Sequence, residues 1–133
     1  MKTIMLVYDD TTSLRSLSRI LESASYQVTP VDYESFAIGV FYATMPDLVI
    51  LDVCLQQNWG SELCRQIRNE SQSVPLFVMS SSRATADAVL LLDLGADDYV
   101  FKSLNPWEVL ARVRAVMRRS IAWSNSTGLS SRG

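Results

Sequence analysis

Short apolar runs alternate with longer stretches of helical period along most of this chain, and four of those runs end in a polar group. Thr3-Ile4-Met5-Leu6-Val7-Tyr8 ends in Asp9-Asp10, and Leu48-Val49-Ile50-Leu51 ends in Asp52. Pro75-Leu76-Phe77-Val78-Met79 ends in Ser80, and Tyr99-Val100-Phe101 ends in Lys102. Strand and helix patterns in strict alternation predict an α/β fold with a parallel sheet. In an open parallel sheet the carboxyl ends of the strands share one edge, where ligands bind. Acids, a hydroxyl and an ammonium gathered on such an edge suit a metal-assisted phosphate site. Asp52 is then the group placed to accept a phosphoryl.

The spacing divides the chain into five β/α units. Residues 3–8 are the first strand, followed by cap oxygens at Thr11-Thr12-Ser13 and a stripe of Leu14, Leu17, Ile20 and Leu21. Residues 26–31 are a second strand, and Pro30, which lacks an N–H, places it at a sheet edge. Residues 33–44 are expected to form a helix facing inward through Phe36, Val40 and Phe41. Residues 48–52, apolar up to Asp52, form the central strand, covered on both faces. After a loop over 56–60, residues 62–69 form a short helix burying Leu63 and Ile67. Residues 74–80 are the fourth strand. Residues 84–94 are a helix capped by Gly95, and 98–101 the fifth strand. Pro106 opens a last helix with Leu110, Val113 and Met117 on its stripe. Right-handed crossovers put helices on both faces, which makes the sheet open and doubly wound. Residues 1–119 form one domain. Residues 120–133, rich in Ser, Asn, Thr and Gly and without period, read as a tail or the start of a linker.

Composition narrows the chemistry. With 133 residues, 48% hydrophobic and 20% charged, the chain has the make-up of one globular domain. A net charge of −2 gives no global attraction to nucleic acid. No apolar run approaches the ~18 residues of a membrane span, and no secretory signal pattern opens the chain, so a cytoplasmic, non-membrane protein is expected. Two cysteines, Cys54 and Cys64, read as reduced thiols rather than a disulfide framework. The absence of histidine removes His-based catalysis and phosphohistidine within this chain.

Over about residues 2–119 the sequence resembles the receiver domain of two-component response regulators. The resemblance is carried by Asp9-Asp10, by Pro46-Asp47-Leu48-Val49-Ile50-Leu51-Asp52, by Val74 to Ser80, by Gly95-Ala96-Asp97-Asp98-Tyr99 and by Lys102. Each piece alone has an ordinary structural reading, as a helix-capping turn, a surface charge or a packed aromatic. Their order and their place at strand ends make the pattern specific. The resemblance implies a flavodoxin-like sheet of order 2-1-3-4-5. It implies Mg²⁺ (or Mn²⁺) held by Asp10 and Asp52, with Asp9 acting through water and the backbone carbonyl of Cys54 as a further ligand. Asp52 would become an aspartyl phosphate, catalysing its own phosphorylation and dephosphorylation with Lys102 and Ser80. Ser80 and Tyr99 would be the switch residues. The implied partner is a sensor histidine kinase.

The ending over residues 110–119 resembles the OmpR/PhoB-type subfamily. That implies a homodimer on activation through the fourth helix, fifth strand and fifth helix, with Asp97, Asp98 and Arg112 as candidate interface residues. DNA would be contacted only through an output domain outside these residues. Arg112 to Arg119 also read as a solvated helix end favoured by the dipole.

Three features depart from the family pattern. Lys102 is followed by Ser103 rather than proline, and a cis bond there would cost ~3–4 kcal/mol. The loop after Asp52 is Leu55-Gln56-Gln57-Asn58-Trp59-Gly60, and Ser80 stands where Thr is more frequent. A phosphorylation-independent binding module is therefore a second reading. A metal-dependent phosphohydrolase would need an acid two residues after its nucleophile, where this chain has Cys54.

Overall fold

β3 (Leu48–Val53) sits at the centre because its side chains are apolar on both faces up to Asp52. The computed structural model describes residues 1–9, 11, 14–33, 37–53, 59–102 and 105–127. β1 (Thr3–Tyr8) and β4 (Leu76–Ser80) flank β3, and β2 (Gln27–Asp32) and β5 (Asp98–Phe101) form the edges. The order β2-β1-β3-β4-β5 is the one expected, and every pairing is parallel.

Strand alternation divides the core into two layers. Met5, Val7, Val49, Leu51, Leu76 and Val78 pack on one face with Phe41 of α2 (Ala37–Thr44), Leu63, Cys64 and Ile67 of α3 (Trp59–Glu70), and Leu91 of α4 (Thr85–Asp93). Ile4, Leu6, Leu48, Ile50, Phe77 and Met79 pack on the other. There they meet Leu17 and Leu21 of α1 (Leu14–Ser23) and Val109, Leu110, Val113 and Met117 of α5 (Pro106–Thr127). The helical stripes thus face inward as their spacing predicted.

Element ends differ from expectation where caps and hydrogen bonds decide them. The second helix is described over Ala37–Thr44, and Tyr33, expected to open it, lies in a turn. Phe36, expected on its inner face, lies outside the described residues. The second strand runs one residue later than the apolar run, because the Tyr26 N–H closes the end of α1 on the Leu21 carbonyl. The fourth strand starts at Leu76, since the Val74 N–H is taken by Ser71 Oγ and Pro75 has none. The third helix extends over Trp59–Glu70, beyond 62–69 at both ends. In the fourth helix Ala84 and Leu94 are the caps.

Gly95 closes that helix at φ +119°. Its N–H bonds the Leu92 carbonyl and the Ala96 N–H bonds the Leu91 carbonyl, a Schellman arrangement. α5 starts with Asn105 Oδ1 accepting from the Trp107 N–H at 2.9 Å, and Pro106 fills the first helical position. It continues to Thr127, past Arg119 where the apolar period stops. A helix already nucleated extends at little cost through Ile121, Ala122 and Trp123. Arg112 to Arg119 consequently lie within the helix and not in its last turn, so the dipole account of those charges does not hold.

Candidate phosphoryl-transfer site

The register sets the site. Asp52 lies opposite Tyr8 of β1 and Met79 of β4, and Ser80 lies opposite Phe101 of β5. Asp9, Asp52, Ser80 and Lys102 are therefore brought to one edge of the sheet, at the ends of four neighbouring strands. The Lys102 N–H donates to the Ser80 carbonyl at 2.8 Å, which continues the β4–β5 ladder to the lysine itself.

Asp52 is fully buried. Lys102 Nζ is 3.0 Å from Asp52 Oδ1 and 4.0 Å from Asp9 Oδ1, with the Asp9 and Lys102 side chains mostly covered. Two carboxylates against one ammonium leave this group net negative. Hard oxygen donors in a net-negative pocket at a sheet edge fit a small divalent cation such as Mg²⁺. Among the described residues no three His, Cys, Asp or Glu converge as a complete metal cluster. Asp10 and Cys54, the other expected ligands, lie outside the described residues, as does Ser103 beside Lys102.

Ser80 is buried, and its Oγ accepts the Ser82 N–H at 3.0 Å. Tyr99 is partly buried and its hydroxyl donates to the Ser82 carbonyl at 3.2 Å. Both expected switch residues thus meet at Ser82. The Arg83 guanidinium lies 3.8 Å from the centre of the Phe101 ring and holds the same connection against β5.

The expected interface residues have partners within their own chain. Arg112 is 3.6 Å from Asp98 Oδ2 and 3.5 Å from Glu108 Oε2. Asp97 does not meet Arg112: its Oδ2 accepts from Arg68 at 3.1 Å and from the Leu76 N–H at 2.8 Å. Arg68 was not singled out in the sequence. It donates twice to the Gly95 carbonyl, at 2.7 and 3.0 Å, and once to the Val74 carbonyl at 2.6 Å. An arginine in a last helical turn was the available signal, but its acceptors come from distant segments. This staple lies at the end of the sheet opposite Asp52. α4 leaves Val89, Leu90 and Leu92 exposed, and Trp107 of α5 is exposed as well. No helix among the described residues is long and apolar enough to cross a membrane.

The family model for the response regulator receiver domain matches residues 4–114. A probable transcriptional regulator, ycf27 of Guillardia theta, is 37% identical over 134 residues, covering 99% of this chain and 52% of the relative. The alkaline phosphatase synthesis transcriptional regulatory protein PhoP of Bacillus subtilis is 37% identical over 119 residues, covering 90% of this chain and 50% of the relative. Among solved structures, the BeF3-activated N-terminal receiver domain of Klebsiella pneumoniae RstA superposes with a TM-score of 0.80 at 31% identity. That match covers 88% of this chain and 99% of the other. The chain spans about half the length of the curated relatives it matches.

Proposed function

The chain belongs to the response regulator receiver family, whose members are phosphorylation-dependent switches, and from that premise we propose that Asp52 is its phosphoacceptor. The observation that carries this is the buried Asp52 carboxylate at 3.0 Å from Lys102, with Asp9 beside them and Ser80 on the next strand end. An Asp52 oxygen attacks phosphorus in the donor's phosphohistidine. The P–N bond breaks as the P–O bond forms, the imidazole leaves with its electron pair, and Asp52 becomes an acyl phosphate. Lys102 orients the attacking carboxylate and then pairs with a phosphoryl oxygen, supplying fixed positive charge where negative charge gathers. Ser80 turns its hydroxyl to the same group.

Receiver domains bind Mg²⁺ at the phosphorylation site. Asp9, Asp10, Asp52 and the Cys54 carbonyl would hold it here, and the ion would neutralise phosphoryl oxygens. The donor is a sensor histidine kinase. The output is association of two copies through α4, β5 and α5, and the relatives' names point to transcription as the process controlled.

Mg²⁺ with acetyl phosphate should add one phosphoryl to the intact chain by mass, and Asp52→Asn should abolish it. Lys102→Ala should slow the gain by about 10²-fold, the size of effect seen when one electrostatic donor is removed. A chain that dimerises but never gains the mass would instead be a phosphorylation-independent binding module.

A further inference from the structure

Ser82, in the connection between β4 and α4, is only 4% exposed and uses every polar group it has. Its N–H donates to Ser80 Oγ at 3.0 Å, and its carbonyl accepts from the Tyr99 hydroxyl at 3.2 Å. Its own hydroxyl donates to Asp87 Oδ2 and accepts from the Ala84 N–H, the latter at 3.1 Å. Two of these bonds lead to the switch side chains. The other two lead to the start of α4.

The second pair solves a problem in the helix. α4 has Ala84 as its N-cap, which has no side-chain oxygen to offer an orphan N–H. In an ordinary capping box the cap side chain and the acid three residues on bond backbone N–H groups across the helix start. Here Asp87, in the first turn, bonds the Ser82 hydroxyl, and that hydroxyl takes the Ala84 N–H. The cap of α4 has thus been moved onto a residue that also holds Ser80 and Tyr99.

We propose that Ser82 is a positioning residue that carries the state of the phosphoryl site into the N-terminus of α4. The proposal rests on the phosphorylation reading above. When Ser80 turns its hydroxyl toward a phosphoryl on Asp52, the acceptor of the Ser82 N–H moves with it. Ser82 must follow or lose a buried hydrogen bond, and either change displaces the hydroxyl that caps α4. The Arg83–Phe101 contact limits the alternative of swinging the whole connection away from β5. Tyr99 reads the same movement through the Ser82 carbonyl. A switch in the hydroxyl of one residue is thereby delivered to a helix that exposes Val89, Leu90 and Leu92.

The test compares the whole chain with Ser82→Ala, Ser82→Thr and Asp87→Ala, before and after phosphorylation by acetyl phosphate and Mg²⁺. It reads phosphoryl incorporation at Asp52 and amide hydrogen exchange across residues 85–93. The unmodified chain should take up phosphoryl and change its exchange in the first turn of α4. Ser82→Ala should still be labelled, but its first turn should exchange about tenfold faster at rest and no longer respond to phosphorylation. Asp87→Ala, at a partly exposed position, should behave alike and covers the case in which Ser82→Ala does not fold. Ser82→Thr, which keeps the hydroxyl, should restore the response. A labelled Ser82→Ala or Asp87→Ala chain whose α4 still responds fully overturns the coupling role alone. An unmodified chain that takes up no phosphoryl overturns the phosphorylation reading and this proposal with it.

Discussion

Asp52 and Cys64 are both buried without trace of exposure, and their surroundings give them opposite roles. Asp52 faces an ammonium, so a charged carboxylate has a partner at the point where the proposed phosphoryl would be received. Cys64 lies in an apolar layer, and burial pushes its thiol up to about 12 against a small opposing pull from Arg68. The folded thiol is therefore a poor nucleophile. An unfolded thiol ionises near 9.0 while the folded one keeps its proton to about 12. In that interval the unfolded chain binds fewer protons, so stability contributed by Cys64 is full below the lower value and is lost as pH rises. Urea midpoints measured at about pH 8 and about pH 10 should fall more for the unmodified chain than for Cys64→Ala. An equal fall would mean that Cys64 ionises as readily folded as unfolded.

At the scale of elements, the two ends of the sheet are fastened differently. Opposite the site, Arg68 joins the end of α3 to the α4–β5 turn and to the segment before β4. A Cβ on Gly95 would stand 2.7 Å from Arg68 Cγ and Nε, at a φ of +119° that alanine rarely adopts. Gly95→Ala should thus destabilise the fold by about 1–3 kcal/mol in urea unfolding. The rate of Asp52 labelling should be unaffected, because the change lies at the far end of β4 and β5. Gly95 as a helix cap was legible in sequence because φ > 0 at a helix end is a local property. So were the central strand, the edge strand carrying Pro30, and the placing of Asp9, Asp52 and Lys102 at strand ends, all of which follow from local pattern and topology. Arg68 and Ser82 were not legible. Their roles come from acceptors and donors supplied by several segments, and Ser82 sits in a run of serines that any turn would contain. The length of α5 was missed for the opposite reason: extension of a formed helix needs no apolar period.

Across the molecule, among the described residues, α4 carries a cluster of uncovered aliphatic side chains, while other exposed apolar groups such as Tyr42 and Met45 lie at the end of α2. Val89, Leu90 and Leu92 on α4 are each exposed by more than 40%, a large share for aliphatic groups on one helix. Asp98 and Arg112 are already paired within the chain, 3.6 Å apart and partly exposed, so their exchange between two copies would gain little. Association after phosphorylation should therefore depend on the apolar residues of α4 more than on that ion pair. In sedimentation of the Mg²⁺-loaded, beryllofluoride-treated chain, Leu92→Glu or Val89→Glu should weaken self-association by at least about tenfold. Arg112→Ala should change it by less than about threefold. The reverse ranking would place the association elsewhere or make it electrostatic.

Pro30 sets a further boundary on how copies of this chain can meet. On the outer strand β2 it removes an N–H that an incoming strand would need, while at the other margin β5 is only four residues long. Neither margin offers a good template for continuing the sheet into another molecule. Copies of this chain are steered away from open-ended, strand-to-strand growth. The association proposed above would then fall to helical side chains, where it could be switched on, remain finite and be undone.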